Sequence, residues 1–206
     1  MLNQELKTEN IPKAKSSKLK VVQGFSLVEL LATLGIFFVI SGMIFFDFQT
    51  FNSRTVLDNL AHEIALTVRQ AQVFGIGVRS EDGGFPSYGT YFNLAEKKNF
   101  TLFADTYPSG NPDQKYTEND TLIRNFAIQR GNFISRICGY TSPTASCTDV
   151  DEAHVTYTRP SLEGNLTGVS FSGDAMYSYM QIFVTASDQS FSRIVTVWSN
   201  GQIAVE

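Results

Sequence analysis

The stretch KLKVVQGFSLVELLATLGIFFVISGMIFF, residues 18–46, decides how this chain is organised. Residues 25–46 are almost wholly apolar. A helix that rises about 1.5 Å per residue would cross the roughly 30 Å hydrocarbon core of a bilayer over that length. Glu29 is the one charged residue in the run. Because a carboxylate inside a membrane span is costly and usually has a function, we expect a membrane-spanning helix in which Glu29 has a specific role.

The charges divide the chain into two parts. The sequence has 206 residues, 43% of them hydrophobic and 17% charged, which is typical of a globular domain with attachments and not of a disordered chain. Residues 1–24 carry five lysines and two glutamates, which leaves 11 basic and 18 acidic residues, a net charge of −7, in the rest. Since affinity for nucleic acid comes mainly from Lys and Arg on phosphates, this acidic body disfavours nucleic acid as a partner.

The basic leader and Asp47 set the expected orientation. The positive-inside rule places residues 1–24 in the cytoplasm and everything after Asp47 on the other side of the membrane. Three interpretations of the apolar run are open: a cleaved secretory signal peptide, an uncleaved signal anchor, and a span retained after cleavage in front of it. A secretory signal has roughly 7–15 apolar residues and then small residues. Here the run is longer and the bulky FFDFQTF ends it.

The residues around Gly24 carry a family resemblance. In QGFSLVELLATLGI, Gly24 is followed by Phe25, and Glu29 is the fifth residue after the glycine in a long, otherwise uncharged run. Together with the lysine-rich leader, this resembles the type III signal of type IV pilins and pseudopilins. The resemblance implies that a prepilin peptidase cleaves between Gly24 and Phe25 and that the new N-terminal Phe25 is N-methylated.

Cleavage would give Glu29 a partner. A free amino group at Phe25 is positively charged near neutral pH, and Glu29 lies about one helical turn from it. The two groups could pair within one helix, or Glu29 could pair with the Phe25 ammonium of a neighbouring helix. In the pilin family the intersubunit pair is the accepted one. The resemblance therefore implies that Glu29 sets the register of assembly here.

After Asp47 the apolar pattern becomes amphipathic, which predicts one helix from about Phe25 to about Phe74. The positions expected to face a core are Leu57, Leu60, Ala61, Ile64, Val68 and Ala71. The expected organisation is a cleaved cytoplasmic leader (1–24), a transmembrane and filament-core helix (25–46), its amphipathic continuation (47–78) and an extracytoplasmic β-rich domain (79–206).

Short alternating segments predict antiparallel strands in the C-terminal domain. TYFNL and FTLFAD flank AEKKN as a hairpin, and strand patterns recur in LIRNFAI, FISRIC, HVTYTR, GVSFSG and YMQIFVTA. In the tail, Asn200 and Gly201 predict a hairpin with a type I′ turn. The expected fold class is α+β, with the long helix packed on about seven or eight strands. The segments VRQAQVFGIGV, YGTYFNL and FTLFAD are similar to the branch of H-type pseudopilins and FimT-like minor pilins.

Cys138 and Cys147 are the only cysteines, and both lie in the part expected outside the cytoplasm, where disulfides are permitted. A bridge between them would stabilise the fold by about 2–3 kcal/mol, because the cross-link lowers the conformational entropy of the unfolded chain. Two free thiols are the alternative. We favour the bridge.

Candidate catalytic residues are few. His62 and Glu63 begin HEIAL, but a zinc-protease helix requires a second histidine where Leu66 stands. His154 is the only other histidine, and we expect it at the surface or in a local hydrogen bond. We therefore expect no catalytic residues and no enzymatic activity.

Metal ligands and cofactors are not expected either. One predicted loop contains three aspartates, Asp105, Asp113 and Asp120. Their spacing is not that of an EF-hand calcium site, so we prefer to interpret the segment as a solvated acidic loop. No other pattern indicates a metal site or a cofactor.

These observations favour a structural subunit, a minor pilin or pseudopilin of a type IV pilus-like or type II secretion filament. The expected partners are prepilin peptidase, other pilins or pseudopilins, an inner-membrane assembly platform, and membrane lipid before assembly. The expected location is the cytoplasmic membrane, single-pass with the N-terminus inside, and then a periplasmic or surface filament. A DNA-binding minor pilin and a signal-anchored surface protein that never polymerises are the alternatives.

Overall fold

The structure is a computed structural model that describes residues 24–77, 84–108 and 113–206, and all of their side chains except those of 45–52. Most of the expected leader, residues 1–23, lies outside the described residues, as do 78–83 and 109–112 in two expected loops. The chain divides into two compact units, Met1–Phe45 and Phe46–Glu206. The fold is α+β, as expected from the sequence, with one N-terminal helix followed by antiparallel sheets.

The helix α1 runs from Leu27 to Ile76. The Ser26 carbonyl accepts the first helical hydrogen bond from the Leu30 N–H at 3.0 Å. Both ends therefore lie two residues later than the sequence predicts. The segment Leu27–Ile44 has a mean hydropathy of 2.3 and none of it is buried, so by length and composition it could cross a membrane.

Six strands form the first sheet, in the order β3-β2-β1-β6-β7-β8, with every neighbouring pair antiparallel. The strands are β1 (Ser87–Asn93), β2 (Asn99–Asp105), β3 (Thr121–Ala127), β6 (Glu152–Tyr157), β7 (Gly164–Ser170) and β8 (Gly173–Met176). The predicted hairpin is confirmed, because β1 pairs with β2 across the short 3₁₀ helix Leu94–Glu96.

Five strands form the second sheet, in the order β11-β10-β9-β4-β5. They are β4 (Phe133–Tyr140), β5 (Thr148–Asp149), β9 (Tyr179–Thr185), β10 (Ser192–Trp198) and β11 (Ile203–Val205). The eleven strands of the described residues exceed the expected number, because β5 and β8, with two and four residues, are too short to show alternation. The predicted strand GVSFSG has the wrong bounds. The observed strand β7 ends at Ser170, and the chain turns at Phe171.

The core contains the amphipathic part of α1 together with residues of both sheets. All six helix positions expected to face the core are buried: Leu57, Leu60, Ala61, Ile64, Val68 and Ala71. Burial of their apolar surface is the main force that holds the helix on the strands. At the rim, Asp58 pairs with Arg193 of β10, and the Arg54 guanidinium lies 4.1 Å from the centre of the Phe191 ring. Such half-exposed contacts contribute about 1 kcal/mol or less each.

The Asn-Gly hairpin forms, but its turn differs from the predicted type I′. That turn needs positive φ at both central residues. Only Gly201 has it, at +84°, whereas Asn200 is not among the positive-φ residues. The Gly201 N–H donates to the Trp198 carbonyl at 2.9 Å, and the Trp198 N–H donates to the Gln202 carbonyl at 2.9 Å. This is a three-residue loop with a glycine bulge.

Candidate functional site

The apolar part of α1 is the most conspicuous exposed surface of the Met1–Phe45 unit. Its large side chains are 44% to 73% exposed from Leu27 to Ile44, a degree of apolar exposure that marks an interaction surface in a soluble or membrane protein. The residues that share this exposure are Leu27, Val28, Leu30, Leu31, Leu34, Ile36, Phe37, Phe38, Val39, Ile40, Met43 and Ile44. By length and composition, the segment could therefore cross a membrane.

The predicted cleavage junction lies just before this helix. Gly24 and Phe25 have no regular secondary structure, and both are exposed, Phe25 to 77%. No described heavy atom outside its chain neighbours comes within 4 Å of a Cβ built on Gly24. A peptide bond whose flanking residues are irregular and exposed is sterically open to a peptidase.

Glu29 lies in the first turn of α1 and is exposed. An acidic side chain there interacts favourably with the partial positive charge of the helix N-terminus. The Phe25 nitrogen is part of a peptide bond in this uncleaved chain, so it carries no charge that Glu29 could bind. The two residues are one turn apart, and their ionic contact depends on prior cleavage.

A second polar cluster lies on the first sheet, beneath residues 113–120. His154 of β6 is 2% exposed, so of the two expected positions the surface one is wrong, and the hydrogen bond that it does form is to a residue distant in sequence. Nδ1 of His154 accepts a hydrogen bond of 2.9 Å from the Tyr116 N–H. Its ring stacks on the Tyr91 ring, with the ring centres 5.0 Å apart. Burial, together with the nearby positive charge of Lys115, lowers the pKa of His154 from 6.5 to about 4. The imidazole is therefore neutral near pH 7.

The aspartates of this region do not form a solvated loop, which corrects the sequence interpretation. Asp120 is 7% exposed, and each of its carboxylate oxygens accepts two hydrogen bonds. Asp105 is fully buried; its Oδ2 accepts from the Gln114 N–H at 2.7 Å, whereas its Oδ1 has no partner in the described structure. Burial raises the pKa of Asp105 to about 7. Asp113 is the exposed member of the three.

These aspartates fix the loop in place. The bonds to Asp120 come from the backbone N–H groups of Thr106, Tyr107 and Thr117 and from the Thr117 hydroxyl. Lys115 pairs with Asp174 of β8 and closes the loop over the sheet. The cluster therefore holds residues 113–120 against the first sheet.

Cys138 and Cys147 are joined by a disulfide, with their Cα atoms 5.3 Å apart. Cys138 lies in β4 and is buried, whereas Cys147 lies in the loop before β5. With Asp149 they are the one group of three potential metal-ligand residues in the described part of the chain. Because a metal ligand must be a thiolate, the bonded sulfurs do not serve as ligands.

The pair His62 and Glu63 lies exposed on α1, at the side of a groove that also contains Leu66 and Arg124. Leu66 occupies the position that a zinc-protease helix would give to its second histidine.

Sequence reasoning missed the roles of His154, Asp105 and Asp120. The signal in the sequence is their position at strand ends: Asp105 ends FTLFAD, His154 opens HVTYTR, and Asp120 lies just before LIRNFAI. Their partners are backbone groups of a loop whose position depends on tertiary folding.

No protein-family model, no curated protein and no solved structure matches this chain. The function is therefore argued from its own residues and contacts.

Proposed function

We propose that this chain is a structural subunit, a minor pilin or pseudopilin, of a type IV pilus-like or type II secretion filament. The observation that carries the proposal is the exposed Glu29 in the first turn of an otherwise uncharged, exposed apolar helix, four residues after Phe25. The resemblance of residues 23–36 to a type III signal gives this arrangement its interpretation. It is a subunit that is processed and then bundled, and not an enzyme.

The first step is processing at the membrane. The apolar part of α1 lies in the cytoplasmic membrane with the leader inside, in the orientation set by the leader lysines. A prepilin peptidase cleaves between Gly24 and Phe25 and methylates Phe25. The exposed, irregular backbone at this junction supports access by such an enzyme.

The second step is transfer of the helix from lipid to a bundle of like helices. Apolar side chains gain little from leaving lipid, so packing and polar contacts decide the association. Glu29 supplies the polar contact, because it pairs with the Phe25 ammonium of a neighbouring subunit. A buried pair of this kind specifies register, since a subunit displaced along the bundle would leave both charges unpaired in an apolar medium.

The β-rich domain remains outside the bundle in this proposal. Its core and the Cys138–Cys147 disulfide suit a domain folded outside the cytoplasm. The partners are other pilins or pseudopilins and the inner-membrane assembly platform. The location is the cytoplasmic membrane, and then a periplasmic or surface filament.

Assembly tests the proposal through the Glu29 side chain. Wild type, Glu29→Gln and the control Glu63→Gln, which neutralises an exposed carboxylate farther along the same helix, would be produced in the native host. Sheared filaments would be collected by sedimentation and probed for the protein. We expect wild type and Glu63→Gln in the filament fraction, and Glu29→Gln processed but retained in the membrane.

Two outcomes would contradict the proposal. Glu29→Gln could enter filaments as efficiently as wild type, which would show that the carboxylate has no part in assembly. Alternatively, wild type could remain singly in the membrane while other pilins polymerise, which would favour the signal-anchored, non-polymerising alternative.

A further inference from the structure

A groove of about 450 Å³ lies on the outer face of the second sheet, in the Phe46–Glu206 unit. Tyr179 of β9 and Trp198 of β10 form its aromatic wall, directly opposite each other in register. Alternate residues of these strands, such as Met180 and Val197, face the core on the other side of the sheet. The groove is formed by half-buried side chains that the core does not use.

A third aromatic residue holds the wall in place. Tyr140 of β4 lies opposite Tyr179, and their rings are stacked with centres 4.4 Å apart and planes inclined by 5°. The Tyr140 hydroxyl donates a hydrogen bond of 2.9 Å to Oε1 of Gln181. The Tyr179 and Trp198 rings are 6.2 Å apart. Tyr140 therefore orients both an aromatic face and an amide that line the groove, which lowers the entropic cost of binding.

The polar lining is composed of hydroxyls and amides. Ser178, Gln181 and Asn200 contribute groups that can both donate and accept hydrogen bonds. Glu206 contributes the one carboxylate side chain among the groove's lining residues, and no lysine or arginine lines it. A phosphate or sulfate group would meet an acid and no cation, so nucleic acids and sulfated polymers are excluded by charge.

An aromatic wall beside hydroxyls and amides selects a particular ligand chemistry. A neutral sugar ring has an apolar face of C–H groups, which carry slight positive charge and are attracted to the negative face of an aromatic ring. Its edge carries hydroxyls that donate and accept, as the serine, glutamine and asparagine groups do. The Gln181 amide already bonds to Tyr140 and Thr196, and the Ser178 hydroxyl donates to the Thr141 carbonyl, so part of this polar lining is satisfied within the protein. A lipid or an apolar helix would still cover the Glu206 carboxylate, and burial of a charge is costly unless it is paired.

We propose that the groove between Tyr179 and Trp198 is a binding site for a neutral oligosaccharide. The sugar ring lies against Tyr179 and Trp198, and its hydroxyls bond to Gln181, Asn200 and Glu206. The site is formed within one copy of the β-rich domain, so it does not depend on filament assembly.

Trp198 provides a direct measurement, because it is the only tryptophan in the chain. The full chain would be purified in a zwitterionic detergent, since detergents with sugar headgroups would compete. Tryptophan fluorescence would be followed during titration with cellohexaose, chitohexaose, maltoheptaose and mannohexaose up to about 10 mM, which detects millimolar dissociation constants. An oligothymidylate and a sulfated disaccharide are the charged comparators. We expect a saturable change with at least one neutral sugar and none with the comparators.

Variants assign the signal to the groove. Tyr179→Ala should weaken binding by about 10-fold or more, the usual loss for one stacking ring, whereas Tyr179→Phe should retain it. Phe171→Ser is the matched control, because Phe171 is a fully exposed aromatic residue in the turn between β7 and β8 of the other sheet. Asn200→Ala, at an exposed turn, covers the case in which Tyr179→Ala fails to fold. It should also weaken binding.

Three results would overturn the proposal. They are no fluorescence change with any of the four neutral sugars, saturable binding of the oligothymidylate or the sulfated disaccharide in their place, and sugar binding that persists unchanged in both Tyr179→Ala and Asn200→Ala. None of them bears on Glu29-dependent assembly, which would be measured separately.

Discussion

The backbone N–H of Tyr116 donates a hydrogen bond of 2.9 Å to Nδ1 of His154, 38 positions along the chain. This bond requires an unprotonated Nδ1, so the proton of the neutral ring is on Nε2, which lies 3.9 Å from Oε2 of Glu152. The Tyr116 ring also covers Tyr91 and Phe103 of the same sheet. His154 thus joins a loop to a sheet only while it is uncharged.

Protonation of His154 should therefore destabilise the fold in acid. Its pKa is about 4 when folded and 6.5 ordinarily, so between these values the unfolded chain binds a proton that the folded chain does not. The stabilisation is complete above about pH 6.5 and decreases as the pH falls towards 4, by up to about 1.4 kcal/mol per pH unit. His154→Phe should lose this dependence. Urea unfolding in detergent, followed by Trp198 fluorescence, measures it.

The control for that experiment is His62→Phe, because His62 is exposed on α1 and should leave the slope unchanged. At neutral pH, His154→Phe should also be less stable than wild type by about 1–3 kcal/mol, since the Tyr116 N–H loses its acceptor. An identical pH slope in wild type and His154→Phe would show that His154 does not titrate in this range.

Asp105 should give the opposite slope. Its pKa is raised from 3.8 to about 7 by burial, so between these values the folded chain holds a proton that the unfolded chain has released. The fold is favoured below about pH 4, and this contribution is lost as the pH rises towards 7. Asp105→Asn keeps an acceptor for Gln114 without a charge. Its stability relative to wild type should rise with pH by up to about 1.4 kcal/mol per unit.

Asp113→Asn is the matched control, because Asp113 is an exposed neighbour in the same loop. Because the Asp113 charge contributes to the raised pKa of Asp105, Asp113→Asn should reduce the Asp105 slope without abolishing it. Since the His154 and Asp105 slopes oppose each other over almost the same range, wild type should depend on pH less than either single variant. A wild-type slope steeper than both variants would refute this compensation.

Loss of the disulfide should destabilise the β-rich domain moderately. The bridge closes a short loop, with a sequence separation of 9 between Cys138 and Cys147. The double variant Cys138→Ala, Cys147→Ala should have a free energy of unfolding about 2–3 kcal/mol lower than wild type, because its unfolded chain has more conformational entropy. Reduction of the wild-type protein should give a similar loss, and the variant should not respond to reductant. An unfolding midpoint unaffected by reductant would contradict the prediction.

Two glycines separate the cost of a positive φ from the cost of crowding. Gly201, at φ +84°, would place a Cβ 2.3 Å from Nε2 of Gln72 and 2.9 Å from the Leu162 carbonyl oxygen. Gly173, at φ +110°, has nothing within 4 Å. Gly173→Ala should cost about 1–2 kcal/mol, and Gly201→Ala should cost clearly more. Equal unfolding midpoints in urea would show that both Gln72 and the Leu162 carbonyl move aside without cost.

The sequence predicts the parts of this fold that depend on local pattern. The core-facing positions of α1, the hairpin of β1 and β2 and the disulfide follow from periodicity, turn residues and cysteine spacing. The type I′ turn was predicted from a dipeptide that also suits a three-residue loop, and the packing of Gly201 against Gln72 of α1 accompanies the second form.

Contacts between distant segments could not be predicted in this way. The burial of His154 and Asp105 depends on where residues 113–120 lie, and the sequence there is polar, has several turn-forming residues and shows no strand or helix period. The row of Tyr140, Tyr179 and Trp198 requires the strand order of the second sheet, in which β4 lies beside β9. The proposed cleavage and assembly residues lie close together in the sequence: Gly24, Phe25 and Glu29. Their roles stay a prediction.

N-terminal mass spectrometry of the protein from its native host, made alongside an active prepilin peptidase, tests the central proposal most directly. We expect the first residue to be Phe25 with one methyl group on its nitrogen, and we expect Gly24→Val to keep the leader. An intact leader on the wild-type protein, or an N-terminus beyond the apolar helix, would contradict the proposal, because Glu29 would then have no ammonium to bind.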